Sequence, residues 1–183
     1  KGSAKIVYFN DWFPLKEMTY SIAVDVSKKR VYVVFRGAIT NQDWKKAFNF
    51  KLKPVPNPIK GESHPKKIHI YAGFYSYLFR VRKDTGTTKY HEIASLSHQY
   101  GIDKIGEDYS LVVCGHSLGA ALSTVFAFHV SAEDQFTQNG PVKIFTFGSP
   151  YVGGHDFGDM FRYQEIQKKL QYARFFNHND IFA

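Results

Sequence analysis

The order of apolar and polar residues changes character along the chain. Residues 18–26 ("MTYSIAVDV") alternate with a period of two, which predicts a half-buried β-strand. The turn "SKKR" joins them to "VYVVF" at 31–35, so the two strands are expected to form an antiparallel hairpin. Short apolar runs predict further strands at 66–71, 109–114, 142–147 and 171–176. The run at 109–114 has the continuous apolar character of a strand buried on both faces of a parallel sheet.

Segments with helical periodicity separate these later strands. Beyond Ser117, small or apolar residues recur at the i, i+3, i+4 and i+7 positions of a helix. Residues 54–65 hold four prolines and predict an irregular connection. Further helices are predicted at 73–83, 88–100 and 155–169. Strands that alternate with helices indicate an α/β fold with a mostly parallel sheet.

Composition narrows the class of protein. A chain of 183 residues that is 44% hydrophobic and 17% aromatic suits one domain with a sizeable core. No apolar run reaches the roughly 18–20 residues that a membrane span requires. Cys114 is the single cysteine, so no intramolecular disulfide can form. The histidines show no metal-ligand spacing, and there is no P-loop or dinucleotide-binding fingerprint.

The net charge of +8 is concentrated in one region. Between Trp44 and Lys67, seven lysines stand against Glu62 as the one acidic residue. A basic region of this kind can contact nucleic acid or anionic lipid. The alternative interpretation is a lysine-rich loop that is simply solvated.

The segment "LVVCGHSLGAALS" at 111–123 suggests a catalytic serine. Gly115-x-Ser117-x-Gly119 is common by chance, but here a strand precedes it and a helix follows. A nucleophile elbow needs this context, because the serine must sit on a sharp strained turn with its Oγ exposed. Side chains at the two glycines are expected to collide with the neighbouring strand or helix. The N–H of Leu118 would then point from the helix N-terminus towards an oxyanion. A plain tight turn is the alternative.

Two further components of such a site can be sought along the chain. Arg36-Gly37-Ala38 follows the strand at 31–35 and is placed to supply a second oxyanion donor. Asp180 follows the last strand and fits the acid in the chain order Ser, Asp, His, with a solvated loop aspartate as the alternative. Asp156 and Asp159 fall in a predicted helix and fit less well.

Several segments together resemble one family. "VVFRGAITNQDW", "IHIYAGF", "VVCGHSLGAAL", "IFTFGSPYVGGHDF" and "ARFFNHNDIFA" are similar, in the same order, to the motifs of the class 3 lipases. These are the fungal-type triacylglycerol lipases of the α/β-hydrolase fold. The resemblance spans nearly all of residues 18–183. It implies an α/β-hydrolase-like fold: a mostly parallel central sheet, an antiparallel N-terminal hairpin and helices on both faces.

The resemblance also assigns residues. It implies that Ser117 is the nucleophile and Asp180 the triad acid. Ala38 and Leu118 fall at the oxyanion positions, and Ala38 can donate its backbone N–H but has no hydroxyl. Residues 39–50 resemble the family's lid, and its larger apolar side chains there include Ile39, Trp44 and Phe48.

The chain departs from the family pattern in one motif, and one catalytic group is missing. The family's Pro-Arg-Val-Gly-Asn reads Pro150-Tyr151-Val152-Gly153-Gly154 here, so tyrosine replaces the arginine and glycine replaces the asparagine. All eight histidines precede Asp180, whereas the family's triad histidine follows the acid. The base is therefore expected beyond residue 183, and residues 1–183 are expected to be one class 3 lipase catalytic core, incomplete at both ends. His155 or His178 would need a rearranged triad.

The resulting functional hypothesis is hydrolysis of carboxylic esters of lipids, acylglycerol or phospholipid, with no cofactor. The expected partners are a lipid ester and a lipid interface, including anionic membranes, and no nucleic acid. Secretion and a peripheral position at a membrane surface are both compatible with this hypothesis. The alternatives are a feruloyl-type or other soluble esterase and a non-catalytic pseudolipase. A nucleic-acid binder would need a recognised module that the sequence does not show.

Overall fold

The computed structural model of the chain describes residues 3–10, 18–38 and 51–178. The strands are β1 (Lys5–Asn10), β2 (Tyr20–Asp25), β3 (Arg30–Phe35), β4 (Leu52–Pro56), β5 (Lys67–Tyr71), β6 (Ser110–His116), β7 (Val142–Phe147) and β8 (Leu170–Phe175). The helices are α1 (Ala72–Phe79), α2 (Lys89–Lys104), α3 (Leu118–Val130), α4 (Asp134–Thr137) and α5 (His155–Ile166). Within these ranges no helix has both the length and the apolar character needed to cross a membrane.

The main sheet has the strand order β1-β2-β3-β6-β7-β8. The first three strands are antiparallel, and β3, β6, β7 and β8 are parallel. Phe35 pairs with Gly115, and His116 pairs with Phe147, so the carboxyl ends of three strands meet on either side of Ser117. The predicted hairpin and the mostly parallel sheet are confirmed.

Two strands were not predicted. β1 pairs with β2 at the edge of the main sheet, although "KIVYFN" has no clear alternation. β4 lies partly in the proline-rich stretch that predicted an irregular connection, and among the described strands it pairs with β5 in a two-stranded sheet. Pro54 and Pro56 are tolerated there because an edge strand can leave N–H positions out of the ladder.

The described helices pack against one face of the main sheet. The ring of Phe126 in α3 lies 5.5 Å from that of Phe35, and Phe161 in α5 lies 5.3 Å from Tyr172 of β8. Phe35 and Tyr172 share one face by register. The opposite face leaves four apolar side chains 36–48% exposed: Val34, Phe145, Phe147 and Phe175. Helices on both faces are therefore not found among the described residues, because the apolar sides of these helices converge on one layer.

Helix α3 forms the centre of that layer. All thirteen of its residues are buried, and it lies over β6 and β7. In β6, Leu111, Val112 and Val113 are at most 4% exposed, so the predicted central buried strand is confirmed. The nucleophile candidate is thus held between a strand with a buried apolar centre and a helix that is buried along its whole length.

Glu92 is the centre of a charged cluster between α2 and β2. Its carboxylate accepts hydrogen bonds from the Tyr20 hydroxyl at 2.6 Å, from Arg82 at 2.6 Å and from Lys89 at 3.0 Å. The Glu92 side chain is 19% exposed. Burial opposes its ionisation, but the hydrogen bond from Tyr20 and the two cations hold its pKa below the usual range.

We expect Glu92→Gln to lower the free energy of unfolding at neutral pH by about 1–3 kcal/mol, because Arg82 and Lys89 both lose their ion pair with the Glu92 carboxylate. The folded-state pKa of Glu92 is depressed, so its contribution is complete above the unfolded-state pKa and is lost as pH falls through the folded one. Urea denaturation at neutral and acidic pH measures both effects. A difference between wild type and variant that grows on acidification contradicts this account.

Candidate active site

Ser117 occupies a sharp turn between β6 and α3. Its backbone angles are φ 54° and ψ −120°, a conformation that costs a non-glycine residue about 1–3 kcal/mol. The turn is held from both sides. The Ser117 N–H donates to the Phe147 carbonyl at 2.9 Å, and its own carbonyl accepts from Ala120 N–H at 3.0 Å. The strained geometry of a nucleophile elbow is therefore present and is supported by the sheet and the helix.

The two glycines of the elbow lie where the backbone passes closest to its neighbours. A Cβ on Gly115 would overlap the carbonyl group of Gly119 in α3. A Cβ on Gly119 would overlap the carbonyl oxygen of Phe35 at the end of β3. The expected collision is confirmed at both positions, so glycine is a steric requirement of this turn.

The loop that follows β3 lies beside the elbow. A Cβ on Gly37 would be 3.1 Å from the His116 carbonyl oxygen and 3.9 Å from Cβ of Ser117. The predicted oxyanion donors, Ala38 and Leu118, are the chain neighbours of Gly37 and Ser117. Leu118 begins α3, where backbone N–H groups and the helix dipole favour negative charge.

The predicted acid and lid lie outside the described residues. This applies to Asp180 and to the lid residues Ile39, Trp44 and Phe48. The structure does describe β8, which precedes Asp180 and pairs with β7 in parallel. The Phe175 carbonyl, at the end of β8, accepts a hydrogen bond from Gly148 N–H at 2.8 Å. Asp180 therefore follows a strand whose carboxyl end lies on the same side of the sheet as Ser117. Its role stays a prediction.

All eight histidines fall in the described ranges, and none forms a hydrogen bond with Ser117. His129 lies inside the helix layer and donates from Nδ1 to the Val125 carbonyl at 2.8 Å. Burial lowers its pKa to about 4, so it is a neutral core residue. His116 and His155 are exposed at the surface. The described residues also hold no group of three or more side chains able to bind a metal ion.

One histidine–carboxylate pair has the hydrogen bond of a catalytic dyad, but neither member forms a hydrogen bond with Ser117. His69 Nδ1 lies 2.7 Å from Oδ2 of Asp156, which also accepts the backbone N–H of His69. Burial of Asp156 opposes its charge, but the hydrogen bonds from His69 and Phe157 lower its pKa. The pair fastens β5 to the start of α5. No sequence pattern signals it, since the partners are 87 residues apart.

The loop after β7 contains a contact that sequence analysis did not find. The Arg174 guanidinium lies 5.3 Å from the ring centre of Tyr151 and 5.6 Å from that of Phe176. It also donates to the Ser149 carbonyl at 2.8 Å. Tyr151, which replaces the family's arginine, is 68% exposed. In the sequence, the only sign of this contact is the tyrosine in place of the family's arginine. The contact with Arg174 could not be predicted, because it depends on β8 pairing with β7.

A strained serine elbow on a mostly parallel sheet, followed by a buried helix, defines an α/β-hydrolase. A sequence model of the family described as Lipase (class 3) matches residues 32–183, and the chain belongs to this family. The proposed resemblance is thereby confirmed.

Curated relatives and solved structures agree with the family. Phospholipase A1-IIgamma of Arabidopsis thaliana is 31% identical over 147 residues, covering 74% of this chain and 34% of its own length. Chloroplastic phospholipase A1-Igamma1 of the same plant is 30% identical over 172 residues, covering 86% of this chain and 32% of its own length. The chain thus spans about a third of the length of these relatives.

The structural similarity extends over nearly the whole chain. Lipase II from Rhizopus niveus superposes with a TM-score of 0.71 at 22% identity and covers 98% of this chain and 60% of its own. The lipase from Rhizopus microsporus var. chinensis superposes with a TM-score of 0.69 at 23% identity, covering 98% and 55% of the two chains. At this identity the likeness establishes the fold, and it confirms the predicted α/β-hydrolase fold class.

We expect Gly119→Ala to lower the free energy of unfolding by about 2–3 kcal/mol, because the new Cβ must displace the end of β3. Gly158 in α5 is the matched control, since a Cβ added there would meet no neighbouring atom within 4 Å. Gly158→Ala should raise stability by about 0.5–1 kcal/mol. Chemical denaturation of both variants measures the difference. Equal effects of the two substitutions would argue against the close packing at the elbow.

Proposed function

We propose that the protein is a serine hydrolase that cleaves acyl esters of glycerolipids. The observation that carries this proposal is the strained Ser117 elbow with the Gly37 loop packed beside it. Family membership supports the same activity. The curated relatives are named phospholipases A1 and a galactolipase, so phospholipid and galactolipid are the substrate classes we infer.

The mechanism follows from the roles of the residues. Ser117 Oγ attacks the ester carbonyl while a histidine from outside residues 1–183 takes its proton. The tetrahedral oxyanion accepts hydrogen bonds from the N–H groups of Ala38 and Leu118. The histidine then protonates the departing alkoxide, and water releases the acid from Ser117 by the same steps. Asp180 orients the histidine and stabilises its positive charge.

The Ser117 hydroxyl is well placed for this role. It makes no capping hydrogen bond to α3 and has no hydrogen-bond partner among the described side chains. A hydroxyl that is not engaged in the fold can be removed without a structural penalty. Its loss should therefore affect chemistry and leave stability unchanged.

We expect Ser117→Ala, made in the full-length protein, to reduce hydrolysis of a short p-nitrophenyl ester by about 10⁶-fold while the melting temperature is kept. A serine-reactive phosphonate should label the wild type at Ser117 and leave the variant unlabelled. Ser110→Ala, at the other end of β6, is the control and should keep both activity and labelling. Substantial turnover by Ser117→Ala would exclude the elbow as the site.

We expect Asp180→Asn to reduce kcat by about 10⁴-fold, since the amide favours the wrong histidine tautomer. Phosphonate labelling of Ser117 should slow as well, because the serine loses its activated base. Asp159→Asn, at an exposed position of α5, is the matched control and should leave kcat unchanged. If Asp180→Asn is silent, another carboxylate orients the histidine.

We also propose that the protein works at anionic lipid interfaces. Lys51 and Lys53 are exposed at the start of β4, and Lys45 and Lys46 belong to the predicted lid outside the described residues. Each lysine near an anionic bilayer can add about 1 kcal/mol of attraction, which salt screens.

Changing Lys45, Lys46, Lys51 and Lys53 together to glutamine should weaken binding to anionic vesicles at low salt and leave binding to neutral vesicles unchanged. Sedimentation with vesicles at low and high salt measures this. Equal binding of variant and wild type to anionic vesicles would show that these lysines merely solvate the loop.

A further inference from the structure

The loop of residues 148–154, between β7 and α5, begins beside the elbow. Phe147, the residue before it, accepts the Ser117 N–H at 2.9 Å. The Gly148 N–H donates to the Phe175 carbonyl at 2.8 Å, at the carboxyl end of β8. The turn that carries the serine and the strand that leads towards the predicted acid are therefore both joined to the start of one loop, which we call the β7–α5 loop.

The other end of the β7–α5 loop lies on β5. The Val152 carbonyl accepts the Tyr71 N–H at 3.0 Å, and the Gly154 N–H donates to the His69 carbonyl at 2.9 Å. A Cβ on Gly153 would be 2.4 Å from the same carbonyl oxygen of His69, so the loop backbone lies directly against the strand. Since β5 belongs to the small two-stranded sheet, these bonds connect that sheet to the loop beside the elbow.

Asp156, in the first turn of α5, reinforces this contact with its side chain. Its Oδ2 accepts the backbone N–H of His69 at 3.1 Å and lies 2.7 Å from His69 Nδ1. The pKa of Asp156 is lowered, so the carboxylate is ionised at neutral pH and can only accept. His69 Nδ1 therefore carries the hydrogen of this bond. Because Oδ1 also accepts the Phe157 N–H at 2.9 Å, the carboxylate is fixed to the helix as well as to the strand.

Gly154 leaves room for the His69–Asp156 pair. Its backbone angles, φ −79° and ψ 179°, are open to any residue, so the conformation does not require glycine. A Cβ on Gly154 would be 3.0 Å from Asp156 Oδ1 and 3.4 Å from His69 Cβ. A side chain as large as the asparagine of the family motif would press against the carboxylate. The pair therefore lies at a position where this chain departs from the family pattern.

We propose that Asp156 is a positioning residue for ester hydrolysis: by holding His69, it keeps the β7–α5 loop where Phe147 can support Ser117. The inference rests on the proposed function, since the position of the loop affects turnover only if Ser117 is the nucleophile. Among the described contacts, neither member of the pair forms a hydrogen bond with Ser117, so both act through the loop. A small displacement of the reacting groups slows the chemical step. Loss of the pair should therefore lower kcat and leave KM unchanged.

The first test measures turnover of a short p-nitrophenyl ester by the full-length protein. Asp156→Ala should lower kcat by about tenfold with KM unchanged. His69→Leu should do the same, and the double variant should lose no more than either single variant, because each removes the same contact. His69→Asn keeps an N–H donor near the place of Nδ1 and should retain most of the activity.

The control for turnover removes a hydrogen-bonded carboxylate from the other end of the strands. Asp134 accepts from Lys169 Nζ at 3.0 Å, and Asp134→Ala should leave kcat unchanged. An unchanged kcat in Asp156→Ala would overturn the proposal. So would a His69→Asn variant as impaired as His69→Leu, because the donor would then not be what matters. If Asp156→Ala does not fold, the comparison of the two His69 variants gives the same test.

Amide hydrogen exchange tests the position of the loop without relying on turnover. The N–H groups of Ser117 and Gly148 are bonded to carbonyl groups at the carboxyl ends of β7 and β8. Asp156→Ala should speed the exchange of both by about tenfold, since the loop that they hold loses a charged hydrogen bond at its other end. Asp134→Ala should not change either rate. Unchanged exchange in Asp156→Ala would overturn the proposal even if kcat fell.

The two measurements also separate this proposal from the proposed function. If Ser117→Ala retained turnover, the proposed function would fail, and the role of Asp156 in hydrolysis would fail with it. Faster exchange in Asp156→Ala would still show that the pair holds the loop. If Ser117→Ala is inactive while Asp156→Ala has the kcat and the exchange rates of the wild type, the positioning role alone is wrong.

Discussion

The close contact between the elbow and the end of β3 is the constraint on which the site depends. Gly119 has no Cβ, so the first turn of α3 can rest against the Phe35 carbonyl, and Gly115 allows the strand to turn beneath the same helix. This contact keeps Ser117 in a backbone conformation that a free chain would avoid. It also accompanies the close approach of the Gly37 loop, where an added Cβ would lie 3.9 Å from Cβ of Ser117. A strained nucleophile and an oxyanion loop thus result from one steric arrangement.

The layers of the fold explain why this strain persists. Helix α3 is buried along its whole length, and α2 and α5 pack beside it on the same face of the sheet. The elbow cannot relax without moving this core. Loops at the carboxyl ends of the strands are held by hydrogen bonds instead. Asp156 bonds to the ring of His69, and Arg174 donates to the Ser149 carbonyl. Because the core is rigid and the loops are anchored separately, a loop residue can differ from the family pattern, as at Tyr151, while the serine stays in place.

Charged residues make different kinds of contact at the two ends of the parallel strands. Carboxylates collect at the amino ends of the strands, where Lys29 and Lys169 pair with Asp108 and Asp134. At the carboxyl ends, Asp156 pairs with His69, and the Arg174 guanidinium lies over the rings of Tyr151 and Phe176. Sheet topology produces this separation, because parallel strands place all the residues that follow them on one side.

The sequence by itself determined the features that depend on neighbouring residues. Period-two alternation at 18–26, the apolar run before Ser117 and the spacing beyond it were enough to predict the hairpin, the buried strand and the elbow, because burial and hydrogen bonding in these elements are local. Only the tertiary structure decided the rest: the pairing of β4 despite its prolines, the His69–Asp156 contact, the single helix-covered face and the rings around Arg174. These depend on which strands become neighbours. Residues 87 positions apart leave no periodic signal of their contact.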